Sequence, residues 1–235
     1  MTRRVQAVAD GSLERALCRR FRTAESTVET SGGTFALLHP ASPEELISES
    51  DFEEDERLPY WADIWPSSTV LAGVVGALAG SGRRALELGC GLGLVASAAA
   101  RAGFTVTATD YYEDALLFAQ VNGWRNGKRE IATRHVDWRR FPAELGGFDL
   151  VLASDVLYER PYAALVAHAF AASLGAGGRG LVADPGRVAA GAFVDACSAL
   201  GLHAARLACH PWRSGEIQQS IDLYEVTRRG QVTTS

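Results

Sequence analysis

Two kinds of apolar pattern alternate along most of this chain. One is short, rich in large or β-branched residues, and closed by Gly, Asp or Pro, as strands are. The other is longer, with apolar residues recurring at helical spacing. Read in order, the pattern predicts a helix over 69–79, a strand over 84–88 and an Ala-rich helix over 94–102, with Gly103 past its end. A strand over 104–109 follows, ending at Asp110, then a helix over 113–125 and a strand over 131–135. Beyond these come a buried strand (148–153), a helix (161–173) and a strand (180–183) that runs into Asp184-Pro185-Gly186, a turn signal. A helix over 188–200 and two strands, 203–209 and 220–226, complete the pattern. Strands alternating with helices predict a mostly parallel sheet covered on both faces, an α/β, Rossmann-like doubly wound class. The last two strands have no helix between them and are expected to pair as an antiparallel hairpin at the sheet edge.

The stretch before residue 58 has a different character. Residues 13–21 suit a short helix, and 27–29 and 34–38 two strands joined by Ser31-Gly32-Gly33. Ser42-Pro43-Glu44-Glu45 has the order of a helix start. An acidic stretch over 49–56 reads as a solvated loop or as a fringe that attracts a cationic substrate. The expected organisation is an N-terminal α/β extension over 1–57, a main domain over 58–230 and a tail over 231–235.

Composition narrows the class. The chain has 235 residues, 47% hydrophobic and 22% charged, values of a globular protein with a sizeable core. The net charge is −5 and no basic patch is evident, so a nucleic-acid partner is not expected. The four cysteines show no Cys-x-x-Cys pair and no metal-ligand spacing, and no metal is expected. No apolar run follows Arg3 and Arg4, and residues 70–79 are too short to span a bilayer. A reduced, cytoplasmic setting, away from membranes, fits these features.

The strongest local signal is Glu87-Leu88-Gly89-Cys90-Gly91-Leu92-Gly93, between a predicted strand and a predicted helix. Glycines there allow a sharp turn and the approach of a ligand, Cys90 being the small residue between them. The helix N-terminus behind them offers free N–H groups. A dinucleotide would want Gly or Ala where Leu94 stands. An acid followed by Gly-x-Gly-x-Gly suits S-adenosylmethionine (SAM), whose α-ammonium and sulfonium welcome a carboxylate that would repel a pyrophosphate. Asp110, at the end of the second strand, can accept both ribose hydroxyls, or cap the next helix. Tyr111 supplies a ring that can lie against adenine. Asp137 can accept the adenine amino group and Trp138 can pack on its face, or the two are a loop acid and a surface anchor. These acids fall at the ends of successive strands, where open α/β sheets bind ligands.

Read together, these segments resemble a known family. Residues 87–110 are similar to motif I and its partner in the class I, seven-β-strand SAM-dependent methyltransferases. Leu58-Pro59-Tyr60-Trp61-Ala62-Asp63-Ile64-Trp65-Pro66 resembles the Trp-containing entry motif of the protein-lysine methyltransferase-like subgroup. That subgroup includes the electron-transfer flavoprotein β-subunit lysine methyltransferase and bacterial relatives, some labelled nicotinamide N-methyltransferase-like. Ser154-Asp155-Val156-Leu157-Tyr158 is similar to its Asp/Glu-x-x-Tyr/Phe motif beside the transferred methyl. The resemblance covers residues 58–227. It implies a seven-stranded sheet, with Glu87, Gly89 and Gly91 at the methionine end of SAM, Asp110 on the ribose, and Asp137 and Trp138 on adenine. Trp65 would close over the cofactor beside Ser154. Asp155 and Tyr158 would face an acceptor amine, in a channel walled by Tyr60 and Trp61.

The implied reaction is in-line methyl transfer to an amine, which must be neutral to attack. A lysine with a pKa near ~10.4 is almost wholly protonated at neutral pH. A carboxylate at Asp155 would orient the amine but also favour its charged form. The alternative readings are a helix cap or a structural turn for Asp155, and anchors of the N-terminal segment for Trp61 and Trp65. The histidines show no constellation with Ser or Cys, so a hydrolase triad is not expected. The reading is a monomeric SAM-dependent N-methyltransferase acting on protein lysines. A small-molecule N- or O-methyltransferase and a non-catalytic SAM-fold binding protein are the alternatives, with a dehydrogenase a distant fourth.

Overall fold

The computed structural model describes residues 3–46 and 59–230. The acidic stretch 49–56, Leu58 of the Trp motif and the 231–235 tail lie outside the described residues. The chain begins with helices α1 (Arg3–Ala9) and α2 (Ser12–Arg20), then strands β1 (Thr23–Thr30) and β2 (Gly33–Pro40). Helix α3 (Pro66–Gly76) leads into β3 (Arg84–Leu88), α4 (Leu94–Arg101), β4 (Thr105–Asp110), α5 (Glu113–Gly127) and β5 (Ala132–His135). Strand β6 (Phe148–Ser154), α6 (Arg160–Ser173), β7 (Leu174–Asp184), α7 (Ala190–Ala199), β8 (Leu202–Ser214) and β9 (Ile217–Arg228) follow.

Strands β3 to β9 form one seven-stranded sheet in the order β5-β4-β3-β6-β7-β9-β8. The first five are parallel. Strand β9 runs antiparallel to both β7 and β8, so the predicted hairpin forms the edge. Both its strands are longer than the alternating stretches that predicted them. A register shift between Arg206 and Ala208 bulges Leu207 outward, which blunts the exposed edge.

Alternation along the strands divides the core. Leu150, Leu152, Leu181 and Ala183 face α3 and α4, where Leu71, Val75, Val95 and Ala99 pack on them. Val151, Ala153 and Val182 face the other way, onto Val166 and Phe170 of α6 and Phe193 of α7. Chain order reverses between β3 and β6, because β4 and β5 lie to one side of β3 and β6 and β7 to the other. Open sheets place their ligand crevice beyond the carboxyl ends of the strands at such a point.

The N-terminal hairpin β1–β2 is a separate antiparallel pair seated on α3 and α5. Its tip touches α3 closely: a Cβ on Gly32 would stand 3.0 Å from the Gly73 carbonyl oxygen. Helix α1 was not legible in the polar start of the chain. The helix expected from Ser42 is a single 3-10 turn over Pro43–Leu46. There the Ser42 hydroxyl donates to the Glu44 carboxylate at 2.7 Å. Among the described residues, no helix is long and apolar enough to cross a membrane.

Candidate functional site

A cavity of about 370 Å³ opens beyond the carboxyl ends of β3, β4 and β6. Such a volume lies in the range of small-molecule and cofactor sites. Of the residues singled out in the sequence, Tyr60, Trp61, Trp65, Gly89, Cys90, Gly91, Asp110, Tyr111, Asp137, Trp138, Ser154, Asp155 and Tyr158 all line it. Glu87 does not. It is 1% exposed, and its carboxylate turns behind the loop to the Ala96 N–H in the first turn of α4. One of its oxygens, Oε2, has no hydrogen-bond partner among the described residues. Burial is the main cause that pushes this carboxyl well above the usual range, the Asp110 charge adding to it.

The loop after β3 is shaped by its glycines. Gly89, Gly91 and Gly93 all have positive φ. A Cβ on Gly89 would meet Val156 at 3.1 Å and the Trp138 indole at 3.3 Å. One on Gly93 would stand 2.6 Å from the Ala119 Cβ, which brings α5 directly against the loop. Cys90 is buried between them, its thiol pushed far above its ordinary range by burial and then by the Asp110 and Glu87 carboxylates.

Asp110 closes this corner. Its Oδ2 accepts the Gly91 N–H at 2.9 Å and its Oδ1 the Tyr112 N–H at 3.0 Å. Burial raises its carboxyl above the usual range, while the N–H groups of Tyr112, Gly91 and Tyr111 pull it back. Asp110 lines the cavity, but it is not the cap of α5: the N-cap residue is Tyr112, whose N–H Asp110 accepts, and among the described residues no side chain caps that helix. Asp137 accepts the Arg139 backbone N–H at 3.0 Å and pairs with the Arg139 guanidinium at 2.9 Å. Its carboxylate is therefore engaged before any ligand arrives.

Aromatic rings wall the other side. Centroids run from Trp65 to Tyr60 at 5.9 Å, Tyr60 to Tyr158 at 5.7 Å, Tyr158 to Tyr162 at 4.6 Å and Tyr162 to Trp138 at 5.8 Å. The Trp65 indole N–H donates to the Tyr60 carbonyl at 2.8 Å. Trp61 is different. It is buried among Phe118, Leu92 and Leu17, so its ring anchors the entry segment on α5.

Asp155 sits in the left-handed region at φ 57, a strained setting for a residue with a Cβ. Its carboxylate is already taken. The Arg187 Nε and Nη2 both reach Oδ1 at 2.6 Å, and the Ser67 hydroxyl donates to Oδ2 at 3.1 Å. Its side chain is 4% exposed, against 32% for Arg187. Arg187 also lies over the Trp65 ring at 5.6 Å. The Asp184 turn launches it: Asp184 Oδ1 accepts the Gly186 and Arg187 N–H groups at 2.8 and 2.6 Å. Reading the sequence alone missed Arg187, Ser67, Tyr112 and Tyr162. The Asp-Pro-Gly-Arg turn was visible as a turn, but nothing local told that its arginine points back to Asp155. The histidine reading needs one correction, because His39 Nε2 does meet the Ser26 hydroxyl at 2.8 Å. Neither residue lines the cavity, and the pair lies across the N-terminal hairpin.

Comparison with known proteins follows the same lines. Residues 85–178 match the family model described as a methyltransferase domain. Among solved structures, the magnesium protoporphyrin IX methyltransferase of Synechocystis with bound SAM superposes with a TM-score of 0.56 at 18% identity, covering 80% of this chain and 98% of that one. A TehB-like SAM-dependent methyltransferase from Corynebacterium glutamicum gives a TM-score of 0.52 at 16% identity, over 71% of this chain and 89% of that one. The fold is that of a SAM-dependent methyltransferase. By sequence, the chain is 36% identical to a ubiquinone biosynthesis O-methyltransferase of Bordetella avium over 43% of each chain. It is 32% identical to the protein N-lysine methyltransferase METTL21A of Danio rerio over 55% of this chain and 64% of that one. The chain thus spans about half the length of the curated relatives it matches.

Proposed function

We propose that this protein is a SAM-dependent N-methyltransferase that methylates lysine side chains of a protein substrate. The observation that carries the cofactor reading is the corner formed by the glycine loop and Asp110. Its floor would be filled by a Cβ at Gly89, and its carboxylate is buried and oriented by backbone N–H groups. The residues present fit the group. Gly89 and Gly91 would receive its methionine end, Asp110 its ribose hydroxyls, and Tyr111 and Trp138 its adenine, with Asp137 at the rim. When bound, SAM supplies a methyl group on a sulfonium, open to displacement by a nucleophile.

The chain's own residues then have three tasks. Tyr60, Trp65, Tyr158 and Tyr162 line the approach and exclude water, and their faces accept an alkylammonium as it enters. Most of the rate enhancement would come from holding the acceptor in line. Asp155 and Tyr158 orient the acceptor nitrogen, and Arg187 changes what Asp155 does. A bare carboxylate would keep the amine protonated, whereas a carboxylate neutralised by a guanidinium accepts a hydrogen bond without that penalty. Residues 58–230 would form the catalytic domain, with the N-terminal extension braced on it.

A second reading has one observation in its favour. Because Arg187 already occupies Asp155, an acceptor that brings no cation needs no displacement there. That suits a neutral small molecule, and the O-methyltransferase relative agrees with it. The test is incubation with methyl-labelled SAM and cell extract beside an Asp155→Asn control, followed by separation of protein from small molecules. Base-stable label in a discrete protein band, lost in the control, supports lysine methylation. Label confined to small molecules moves the second reading to first place.

A further inference from the structure

Helix α5 carries two asparagines one turn apart, Asn122 and Asn126, and both face the N-terminal hairpin. Among the described residues, strand β2 pairs with a strand, β1, along one edge only. Its other edge is completed by side-chain amides. Asn126 Oδ1 accepts the Ala36 N–H at 2.8 Å and its Nδ2 donates to the Ala36 carbonyl at 2.9 Å. Asn122 Oδ1 accepts the Leu38 N–H at 2.8 Å and its Nδ2 donates to the Leu38 carbonyl at 3.0 Å. A primary amide offers a donor and an acceptor side by side, as a neighbouring strand would.

Asn122 does one thing more. Its Nδ2 also donates to the Leu92 carbonyl, at 2.9 Å, in the middle of the glycine loop. The residue is wholly buried, so no water is at hand to replace it. One amide therefore fixes both the hairpin and the loop. Leu37, next to the clamped residue, lines the cavity.

We propose that Asn122 is a positioning residue for the cofactor, which ties the seating of the N-terminal hairpin to the conformation of the glycine loop. This rests on the reading that the loop receives the methionine end of SAM. Losing Asn122 frees the Leu92 carbonyl and lets the loop drift, while Asp110 stays held at the end of β4 by the Tyr112 N–H, and Tyr111 and Trp138, at the nucleoside end, lie outside the loop. Asn126 holds the same hairpin but reaches no loop atom, so it separates bracing from positioning.

The test is calorimetric titration of the full chain with S-adenosylhomocysteine and, separately, with adenosine. Asn122→Ala is expected to weaken S-adenosylhomocysteine by about tenfold or more, the size of one buried polar group left unpaired. Adenosine should change by less than about twofold, and Asn126→Ala should leave both within about threefold. Equal losses in the two variants would reduce Asn122 to a brace and overturn the proposal. So would parallel loss of adenosine and S-adenosylhomocysteine.

Amide hydrogen exchange covers the remaining cases. If the unmodified protein binds neither ligand, the cofactor reading falls. The tie itself is then read from the Gly93 amide, which bonds to the Cys90 carbonyl within the loop. It should exchange faster in Asn122→Ala than in Asn126→Ala, and equal rates overturn the proposal. If Asn122→Ala fails to fold, the unmodified protein decides: S-adenosylhomocysteine should slow exchange of the Leu38 amide, and no slowing overturns the proposal.

Discussion

Replacing Arg187 by methionine would strip the Asp155 carboxylate of its charged partner. In the folded protein Oδ1 accepts two guanidinium bonds of 2.6 Å, and among the described residues only the Ser67 hydroxyl would remain, on the other oxygen. Removing one partner of a buried pair costs about 3–5 kcal/mol, because the remaining charge stays buried. Arg187 is a third exposed, so water can enter behind the shorter side chain and the expected loss is about 2–3 kcal/mol. Asp155→Asn alone keeps an acceptor oxygen for Arg187 and puts an amide donor where the Ser67 hydroxyl oxygen can accept, and should cost about 1 kcal/mol. The double variant has no charge to strand and should be less damaged than the two single losses added together. The coupling is expected at about 1–2 kcal/mol in a double-mutant cycle, measured by urea unfolding with tryptophan fluorescence. Coupling within about 0.5 kcal/mol of zero would refute the claim that Arg187 neutralises Asp155.

Three further outcomes follow from the same geometry. Glu87, Asp110 and Asp184 all have carboxyls raised by burial, so each adds stability below the ordinary carboxyl range and loses it as pH rises through its raised value. Glu87→Gln should therefore gain on the unmodified protein as pH climbs from about 4 to 8 in urea unfolding, and a gap that stays constant contradicts this. Gly93→Ala meets both a positive φ and the Ala119 Cβ at 2.6 Å, and should lose about 2–4 kcal/mol; a loss under about 0.5 kcal/mol contradicts the tight loop–helix contact. In thiol labelling, exposed Cys18 and Cys209 should react at once. Buried Cys90, and Cys197 with its thiol pushed up to about 12, should react only after unfolding; four fast thiols would contradict the described burial.

Much of this arrangement could be read from local pattern. The strand at 84–88 is bounded as observed, because apolar alternation and the glycine loop coincide there. The helices of the sheet layers were off by a few residues at their ends, where caps rather than apolar spacing decide. The cavity-lining residues were legible because the fold sets chemistry at strand ends, and strand ends are marked in sequence by Gly and Asp. What escaped depends on contacts distant along the chain. Asp155 and Arg187 are brought together only because β6 and β7 are neighbours in the sheet. The Asn122 amide reaches β2 and Leu92 only through the packing of α5. Glu87 carries a motif's acid, yet alternation along β3 turns it toward α4 and away from the cavity.

The central claim is that the glycine loop and Asp110 make a site for SAM. Calorimetric titration with S-adenosylhomocysteine, with NAD as competitor and Asp110→Ala as the variant, tests it most directly. The account predicts one binding site per chain, no displacement by NAD, and at least about tenfold weaker binding in the variant. No binding of S-adenosylhomocysteine, or its displacement by NAD, would contradict it.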